Sequence, residues 1–313
     1  MSASTLAPVA APSASPFVVA RARVERVARL SPSFVRITLG GDGLYDLGNP
    51  GRTFDQRIKL ILPDASGRVP ALPADDWYAA WLALPEDGRG SMRTYSIRRL
   101  CVEGTSTRLV VDVVVHPGSG PSGPGATWAQ SASAGSEVVV VGPRRGCVGG
   151  GIEFEPGDAT SILLAGDETA APAIARILED LPRDARGTAL IEVPSPADVL
   201  DIDAPSGVDI RWLPRCGGAH GSALVPAVLS HVGVSSGSLD AEPGDDLLWE
   251  TPTYSGLGEE VVPEAAASDR YYWIAGESGV VKALRRHLVQ DAGIHRSQVA
   301  FMGYWRLGTA MRG

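Results

Sequence analysis

The sequence predicts two domains of different class, an antiparallel β-barrel followed by a doubly wound parallel α/β sheet. Its length of 313 residues is typical of two domains. From Phe17 to Val141, short segments rich in Val, Ile and Leu are separated by Gly, Pro, Asn and Asp, as in barrels and sandwiches. From Ser161 onward, apolar segments alternate with helical ones, which favours a parallel sheet covered by helices.

The first domain is predicted to contain six strands and one short helix. The strands cover residues 17–30, 34–39, 56–62, 94–98, 109–116 and 137–141, and the helix covers residues 126–131. Residues 142–158 carry six glycines and two prolines, a composition typical of an interdomain connection. We therefore place the barrel at residues 16–150 and the α/β domain at residues 151–313. The Ala-, Ser- and Pro-rich residues 1–15 are expected to form a disordered tail.

The second domain alternates strands and helices. Its predicted strands are 161–165, 188–193, 208–213 and 271–275, and its predicted helices are 173–181, 223–229 and 279–290. Residues 232–268 contain several acidic side chains and neither Lys nor Arg. We expect this stretch to be a solvated surface segment that Trp249 anchors to the core.

The composition excludes several classes of protein. A formal net charge of −8 argues against a general nucleic-acid binder. The three scattered cysteines (Cys101, Cys147 and Cys216) provide neither a disulfide framework nor the ligands of a four-cysteine iron–sulfur cluster. They favour a reducing, cytoplasmic compartment. The five histidines form no pair at metal-ligand spacing, and no apolar run reaches the roughly 18–20 residues of a membrane span. We therefore expect no metal site and no membrane or nucleic-acid partner.

The string Arg93-Thr94-Tyr95-Ser96 is the first candidate site. On a strand, an Arg can pair with a phosphate, a Tyr ring can stack on a flavin, and a Ser hydroxyl can hydrogen-bond the edge of the flavin ring. A strand with alternating exposure would give the same four residues. The string therefore gains weight only from other parts of the chain.

A second anion site is predicted where the Gly/Pro-rich stretch from Gly120 runs into the helix at Ala126, Thr127 and Trp128. The free amides at a helix N-terminus bind phosphate groups, and Thr127 adds a hydroxyl donor. His116, just before this stretch, could contact a flavin. A flexible hairpin loop and a histidine that simply ends a strand are the alternatives.

The carboxyl ends of the predicted parallel strands supply a third candidate site. Gly166, Asp167, Glu168, Thr169 and Ala170 form a strand-to-helix turn that could receive the pyrophosphate of a nicotinamide cofactor, although it lacks the G-x-G-x-x-G spacing. An ordinary helix cap at Asp167 or Thr169 is the alternative.

Two further strand ends could contribute to the same nucleotide site. Glu192 ends the next strand and could bind ribose hydroxyls, or it could be an exposed loop acid. Gly276 and Glu277 also lie at a strand end and start a helix, where Glu277 could instead interact with the helix dipole.

Together these motifs resemble the siderophore-interacting protein family, a branch of the ferredoxin–NADP reductase superfamily. The resemblance covers nearly all of residues 17–310, and its order and spacing carry more weight than any single motif. The matching segments are residues 54–60, 93–98, 112–116, 123–128, 141–144, 164–173, 275–277 and the closing string Gly303-Tyr304-Trp305-Arg306-Leu307-Gly308. In place of the family's glycine after the strand histidine, this chain has Pro117.

The resemblance implies a flavin-binding barrel and a nicotinamide-binding α/β domain. It implies that Arg93, Thr94, Tyr95 and Ser96 lie on one flavin strand, that Asp112, Val114 and His116 lie on a second, and that Ala126, Thr127 and Trp128 form the phosphate turn. The turn at 166–170, Glu192, Gly276 and Glu277 would bind the nicotinamide cofactor. Electrons would pass from NADPH or NADH, or in some members from a ferredoxin, through FAD to a ferric siderophore.

Ferric siderophores are often anionic, so positive charge is expected near the flavin, and Lys59, Arg144 and Arg215 are the candidates. We expect a cytoplasmic, monomeric ferric-siderophore reductase whose iron arrives inside its chelate. The alternatives are a general flavin-dependent electron-transfer reductase and a non-catalytic ferric-siderophore binding protein. The sequence selects neither the siderophore class nor the nucleotide.

Overall fold

The computed structural model describes residues 15–115, 123–147, 150–234, 247–254 and 269–308. His116 and most of the predicted tail and acidic segment lie outside these ranges. The described residues form a seven-stranded antiparallel sheet followed by a six-stranded sheet with helices on both faces. The predicted fold class is therefore confirmed. None of the described helices is long and apolar enough to cross a bilayer.

The first sheet is curled and has the strand order β4-β3-β7-β1-β2-β6-β5. Its strands are β1 Phe17–Arg29, β2 Phe34–Gly40, β3 Arg57–Leu62, β4 Ser91–Ser96, β5 Arg99–Glu103, β6 Ser106–Val114 and β7 Glu137–Pro143. The edge strands β4 and β5 are consecutive in the chain and are joined through Ile97 and Arg98, but they do not pair with each other. The domain is therefore a half-barrel with open edges rather than a fully hydrogen-bonded barrel.

Alternation along the strands builds the core of this half-barrel. In β1, Val18, Ala20, Ala22 and Val24 point inward, whereas Arg21 and Arg23 between them are exposed. Strand β7 is buried on both faces because helix α1 (Trp77–Ala83) covers its outer side through Trp81. Helix α2 (Pro124–Ser131) packs Trp128 and Ala129 into the inner core.

The second sheet has the order β10-β9-β8-β12-β13-β11. Its strands are β8 Ser161–Gly166, β9 Arg186–Val193, β10 Gly207–Pro214, β11 Trp249–Glu250, β12 Arg270–Glu277 and β13 Val299–Trp305. Five of these strands run parallel to one another, namely β10, β9, β8, β12 and β13. The sixth, β11, pairs antiparallel with β13. The sheet is thus mixed rather than purely parallel, because Trp249 and Glu250 of the predicted acidic segment form the short antiparallel edge strand β11.

Helices cover both faces of this sheet. Helix α3 (Ala171–Asp180) packs on one face, and α4 (Leu224–Val232) and α5 (Ser278–Arg286) pack on the other. A π-helical turn, His287–Asp291, extends α5. Successive residues of β8 point into these two cores in turn. Ile162 and Leu164 face α3, whereas Leu163 and Ala165 face the other helices.

The half-barrel and the α/β sheet share a buried interface. Phe34, from β2, belongs to the same apolar core as α3. Buried Asp55 accepts hydrogen bonds from the Trp273 indole (2.9 Å) and from the backbone amides of Glu153 and Phe154. Asp180 at the end of α3 accepts hydrogen bonds from the amides of Thr53 (2.7 Å) and Phe54 (2.9 Å). These contacts fix the position of the barrel strands relative to the carboxyl edge of the sheet.

Candidate functional site

The Arg93–Ser96 string occupies strand β4, as predicted, and its side chains alternate between two faces. Arg93 and Tyr95 pair with Leu60 and Ile58 of β3, both of which point into the barrel core. Thr94 and Ser96 pair with Lys59 and Arg57 and share the opposite face with them. The Arg and Tyr of the motif therefore act together on one face, while the two hydroxyl residues lie on the other.

Helix α2 begins directly over Arg93 and Tyr95. A β-carbon on Gly125 would lie 2.1 Å from the Tyr95 hydroxyl oxygen and 3.7 Å from Cγ of Arg93. Glycine at this position lets the first turn of α2 lie against the strand. Ala126 and Trp128, in the same helix, pack against the barrel core and hold this turn in place.

The first turn of α2 and Arg93 together form a place for an anion. Among the described residues, no side chain caps α2, and no carboxylate forms an ion pair with Arg93. The Arg93 guanidinium donates to the Met92 carbonyl oxygen (2.6 Å), and burial lowers the pKa of this arginine. Because helix N-terminal amides and a guanidinium both favour phosphate, these residues fit the pyrophosphate of FAD.

Tyr95 is suited to contact with an uncharged ring. Burial raises the pKa of its hydroxyl to about 12, so the phenol stays neutral at physiological pH. Its ring packs against the inner barrel core beside α2. A neutral aromatic face next to a helix end with free amides fits a flavin nucleotide.

The second predicted flavin strand, β6, has a different environment. Asp112 forms a bidentate ion pair with Arg36 (2.7 Å for both bonds) and lies 3.5 Å from Arg98. Arg98 in turn binds Glu179 of α3 (2.7 Å), and Val114 packs against the apolar core around α3. The described contacts of Asp112 and Val114 thus belong to the interdomain interface. Their predicted role at the flavin stays a prediction, as does that of His116.

The turn predicted to bind the nicotinamide cofactor, residues 166–170, lies at the carboxyl end of β8. The carboxylate of its own Asp167 occupies the hydrogen-bond donors of Thr169 in this turn. The Asp167 carboxylate accepts hydrogen bonds from the amide of Thr169 (2.9 Å), the amide of Glu277 (2.7 Å) and the indole of Trp305 (2.8 Å). The Thr169 hydroxyl also donates to it (2.5 Å). Burial and the neighbouring Glu168 raise the pKa of Asp167 to about 6, against the effect of these hydrogen bonds.

Gly276 is required at this point for two reasons. Its φ of 143° lies in the region that favours glycine, and a β-carbon there would lie 2.7 Å from an Asp167 carboxylate oxygen. The strand end at Gly276 and Glu277 is therefore brought against the Gly166–Ala170 turn, as the sequence predicts. Ala170, at the start of α3, is fully buried and donates its amide to the Asp167 carbonyl oxygen (3.0 Å).

Glu192 and Arg215 are both held inside the protein. Glu192 is fully buried and accepts hydrogen bonds from the amides of Gly221 (2.8 Å), Ala223 (3.0 Å) and Leu224 (2.9 Å) at the start of α4. Both of its carboxylate oxygens are therefore engaged, in an arrangement different from the one expected for a ribose ligand. Arg215 forms a bidentate pair with Glu168 (2.7 Å for both bonds). Oxygens of Asp167 and Glu168 and a ring nitrogen of His220 lie within 4.8 Å of one another, but Arg215 already neutralises Glu168, so we do not interpret this cluster as a metal site.

The three candidate substrate cations lie in separate places. Lys59 donates to the Thr94 hydroxyl (2.7 Å), and burial followed by the nearby Arg57 lowers the pKa of Lys59. Arg144 instead binds Asp46 (2.8 Å) and the Ser15 carbonyl oxygen (2.7 Å). The structure therefore brings Lys59 alone of the three next to the Arg93–Ser96 strand.

Sequence reasoning missed two residues of these sites. Gly125 carries the close approach of α2 to Tyr95, and a signal for it exists in the Gly-Pro-Gly string that opens the helix. Trp305 was recognised only as part of a motif. Its hydrogen bond to Asp167 links residues 138 positions apart, a separation that local sequence patterns do not reveal.

Comparison with known proteins adds independent information. Residues 159–308 match the model of the siderophore-interacting protein family, and residues 23–147 match that of the siderophore-interacting FAD-binding domain. The ferric vibriobactin reductase of Vibrio cholerae is 28% identical over 281 residues, covering 89% of this chain and 86% of the relative. An NADPH-dependent ferric-chelate reductase of Escherichia coli is 28% identical over 285 residues, covering 90% and 91%. A solved siderophore utilization protein from T. fusca is 30% identical, with a TM-score of 0.69 and coverage of 95% of this chain and 96% of that one.

Proposed function

Because this chain belongs to the siderophore-interacting protein family, we propose that it is an FAD-dependent ferric-siderophore reductase that uses NADPH or NADH. The names of two relatives, a ferric vibriobactin reductase and an NADPH-dependent ferric-chelate reductase, support this reaction. One NAD(P)H yields two electrons and a proton, and two ferric chelates each take one electron. The products are NAD(P)⁺, a proton, two ferrous ions and the free siderophores, because ferrous iron binds hard oxygen ligands far less tightly than ferric iron.

One observation carries the proposal: the first turn of α2 lies directly on Arg93 and Tyr95, with Gly125 as the point of contact. A binding site for FAD needs an anion site beside an apolar aromatic surface, and the contact between α2 and β4 provides both. FAD, when bound, would accept a hydride and release its electrons one at a time. Arg93 and the amides at the start of α2 would hold its pyrophosphate, and Tyr95 would orient its ring.

Lys59 is the proposed contact for the chelate. It pairs with Thr94 across β3 and β4, on the face of the flavin strand opposite to that of Arg93 and Tyr95. Its ammonium group donates to an uncharged hydroxyl, and among the described residues no carboxylate lies within ion-pair distance of it. A cation that is partly desolvated and not neutralised attracts an anionic ferric siderophore. Arg144 and Arg215 are engaged by acidic partners and make weaker candidates.

The proposal extends to location and partners. We propose that the protein works in the cytoplasm, which its free cysteines and its need for NAD(P)H support. We propose that it acts as a monomer. A ferredoxin remains an alternative electron donor within this proposal.

Anaerobic assay of the purified, FAD-loaded protein tests the function. Ferrous iron, trapped by a ferrous-specific chelator, should accumulate only when NAD(P)H and a ferric siderophore are both present. A flavin that NAD(P)H reduces without any ferrous iron appearing would favour a general electron-transfer reductase. Failure of the protein to bind flavin would favour the alternative that it is a non-catalytic ferric-siderophore binding protein.

A further inference from the structure

Among the described residues, three helices start at the carboxyl edge of the α/β sheet, and a carboxylate lies beside the N-terminus of each. The amide of Thr169 binds the Asp167 carboxylate before α3, and the amides of Ala170 and Ala171 bind the Asp167 carbonyl oxygen. Glu192 caps α4, and Glu277 accepts a hydrogen bond from the Val280 amide at the start of α5 (2.9 Å). Some of the amides that bind phosphate in doubly wound folds are therefore already hydrogen-bonded within the protein at each of these helix starts.

The same edge carries an excess of buried negative charge. Asp167, Glu168, Glu192 and Glu277 are 3%, 0%, 0% and 8% exposed. Arg215 is the cation placed among them, paired with Glu168 and 3.7 Å from Glu192. These carboxylates repel a further anion such as a pyrophosphate, and burial keeps that repulsion from being screened by salt. This environment is unlike the one at α2, where Arg93 accompanies an uncapped helix end.

We propose that Asp167 limits the affinity for a dinucleotide electron donor: its ionised carboxylate excludes the pyrophosphate from the start of α3. This inference rests on the proposed function, since it concerns the NAD(P)H of that reaction. It follows that NADH and NADPH bind weakly at neutral pH, through groups other than the pyrophosphate. Asp167 is the deciding residue because it lies within the turn itself and accepts hydrogen bonds from Thr169 of that turn and from the ends of β12 and β13.

The exclusion should depend on pH. Asp167 faces Glu168 of its own turn, Arg215 and His220 from the segment between β10 and α4, Glu277 at the end of β12, and Tyr304 and Trp305 of β13. Since the pKa of Asp167 is raised to about 6, protonation below this pH removes one negative charge from the turn. Nucleotide binding should then strengthen as the pH falls from 8 to 5. The variant comparison below isolates the contribution of Asp167 from those of the groups around it.

Binding of NADP⁺ and NAD⁺ to the FAD-loaded protein, measured by titration calorimetry at pH 5 and pH 8, tests the inference. Asp167→Asn should tighten both at pH 8 by about tenfold, the effect of roughly one pKa unit of interaction energy, and by much less at pH 5. The matched control is Asp209→Asn, which makes the same change in net charge at an exposed residue of β10 paired with Arg211. Nicotinamide riboside, which has no phosphate, should bind all three proteins alike.

Equal or weaker dinucleotide binding by Asp167→Asn at pH 8 would overturn the inference. Should this variant not fold, Trp305→Phe removes the indole donor that favours the ionised carboxylate, and the pH midpoint of binding should rise. An unchanged midpoint would then refute the role of Asp167. Because these measurements need no turnover, they are distinguishable from failure of the proposed function, which would appear as absence of ferrous iron with every donor.

Discussion

The hydroxyl of Tyr95 and the α-carbon of Gly125 are so close that a β-carbon on Gly125 would lie 2.1 Å from the hydroxyl oxygen. This contact joins a motif on β4 to a helix that begins some 30 residues later in the chain. The R-x-Y-S string and the Gly/Pro-rich turn, each weak evidence in the sequence, therefore lie at a single site. The following predictions test that site and its surroundings.

Gly125→Ala should weaken flavin binding, because the added methyl group forces Tyr95 or the first turn of α2 to move. The ratio of flavin to protein absorbance after gel filtration measures the effect. Gly150→Ala is the matched control, since a β-carbon there meets nothing within 4 Å and the residue lies outside α2. Equal flavin content in both variants would contradict the proposed contact.

Arg93→Ala should release FAD, because it removes the guanidinium that accompanies the start of α2. A loss of about 1.5–3 kcal/mol, typical of a hydrogen bond to a charged group, corresponds to a dissociation constant raised about tenfold or more. Arg23→Ala serves as the control, since Arg23 is an exposed arginine on β1 of the same half-barrel. The flavin assignment fails if the Arg93 variant stays yellow and active.

Lys59→Glu should raise the Michaelis constant for an anionic ferric siderophore and leave that for a neutral one nearly unchanged. The physical reason is that attraction by a partly desolvated cation becomes repulsion. Arg183→Glu makes the same change in charge at an exposed position paired with Asp203 and should change neither constant. If Lys59 and Arg183 variants behave alike, Lys59 is not part of the substrate site.

Protonation of Asp55, at the interdomain interface, should make the folded protein more stable in mildly acidic solution than at neutral pH. Burial raises the pKa of Asp55 from 3.8 to about 6, so the folded protein binds this proton more tightly than the unfolded chain does. Its contribution, up to about 3 kcal/mol, is fully present below about pH 4 and is lost as the pH rises through 6. Asp167 contributes a slope of the same sign.

Urea unfolding of the wild type and of Asp55→Asn between pH 4.5 and 7.5 measures the Asp55 effect. The stability advantage of the wild type over the variant should shrink as the pH rises. The variant should retain the part of the pH dependence that belongs to Asp167. A difference between the two proteins that does not change with pH would show that Asp55 does not titrate in this range.

Much of the fold could be predicted because its strands obey local rules. Strand β1 alternates apolar and charged residues, and β8 is a short apolar run next to a helix. Strands β5, β11 and β13 and helix α1 lie outside the predicted segments. The residues of β5 are all exposed or half-buried, and α1 is short and lacks a side-chain cap. Neither element carries the periodicity on which a prediction depends.

The site was less predictable because its residues take partners from distant parts of the chain. Glu192 follows a strand, where either a ribose or a helix end could use its carboxylate, and the amides that it binds lie 29–32 residues away. Arg215 was predicted to attract the anionic substrate, yet it pairs with Glu168, which is 47 residues away. In contrast, Arg93 and Tyr95 act from one strand, so a local pattern was enough to place them together.

The most direct test of the account is a single anaerobic turnover followed by flavin absorbance. NADPH or NADH should bleach the bound FAD, and a ferric siderophore added afterwards should restore the absorbance while about two ferrous ions per flavin are trapped. Reduced flavin that persists in the presence of ferric siderophores of the catecholate, hydroxamate and mixed types would contradict the central claim that electrons pass from this flavin site to chelated iron.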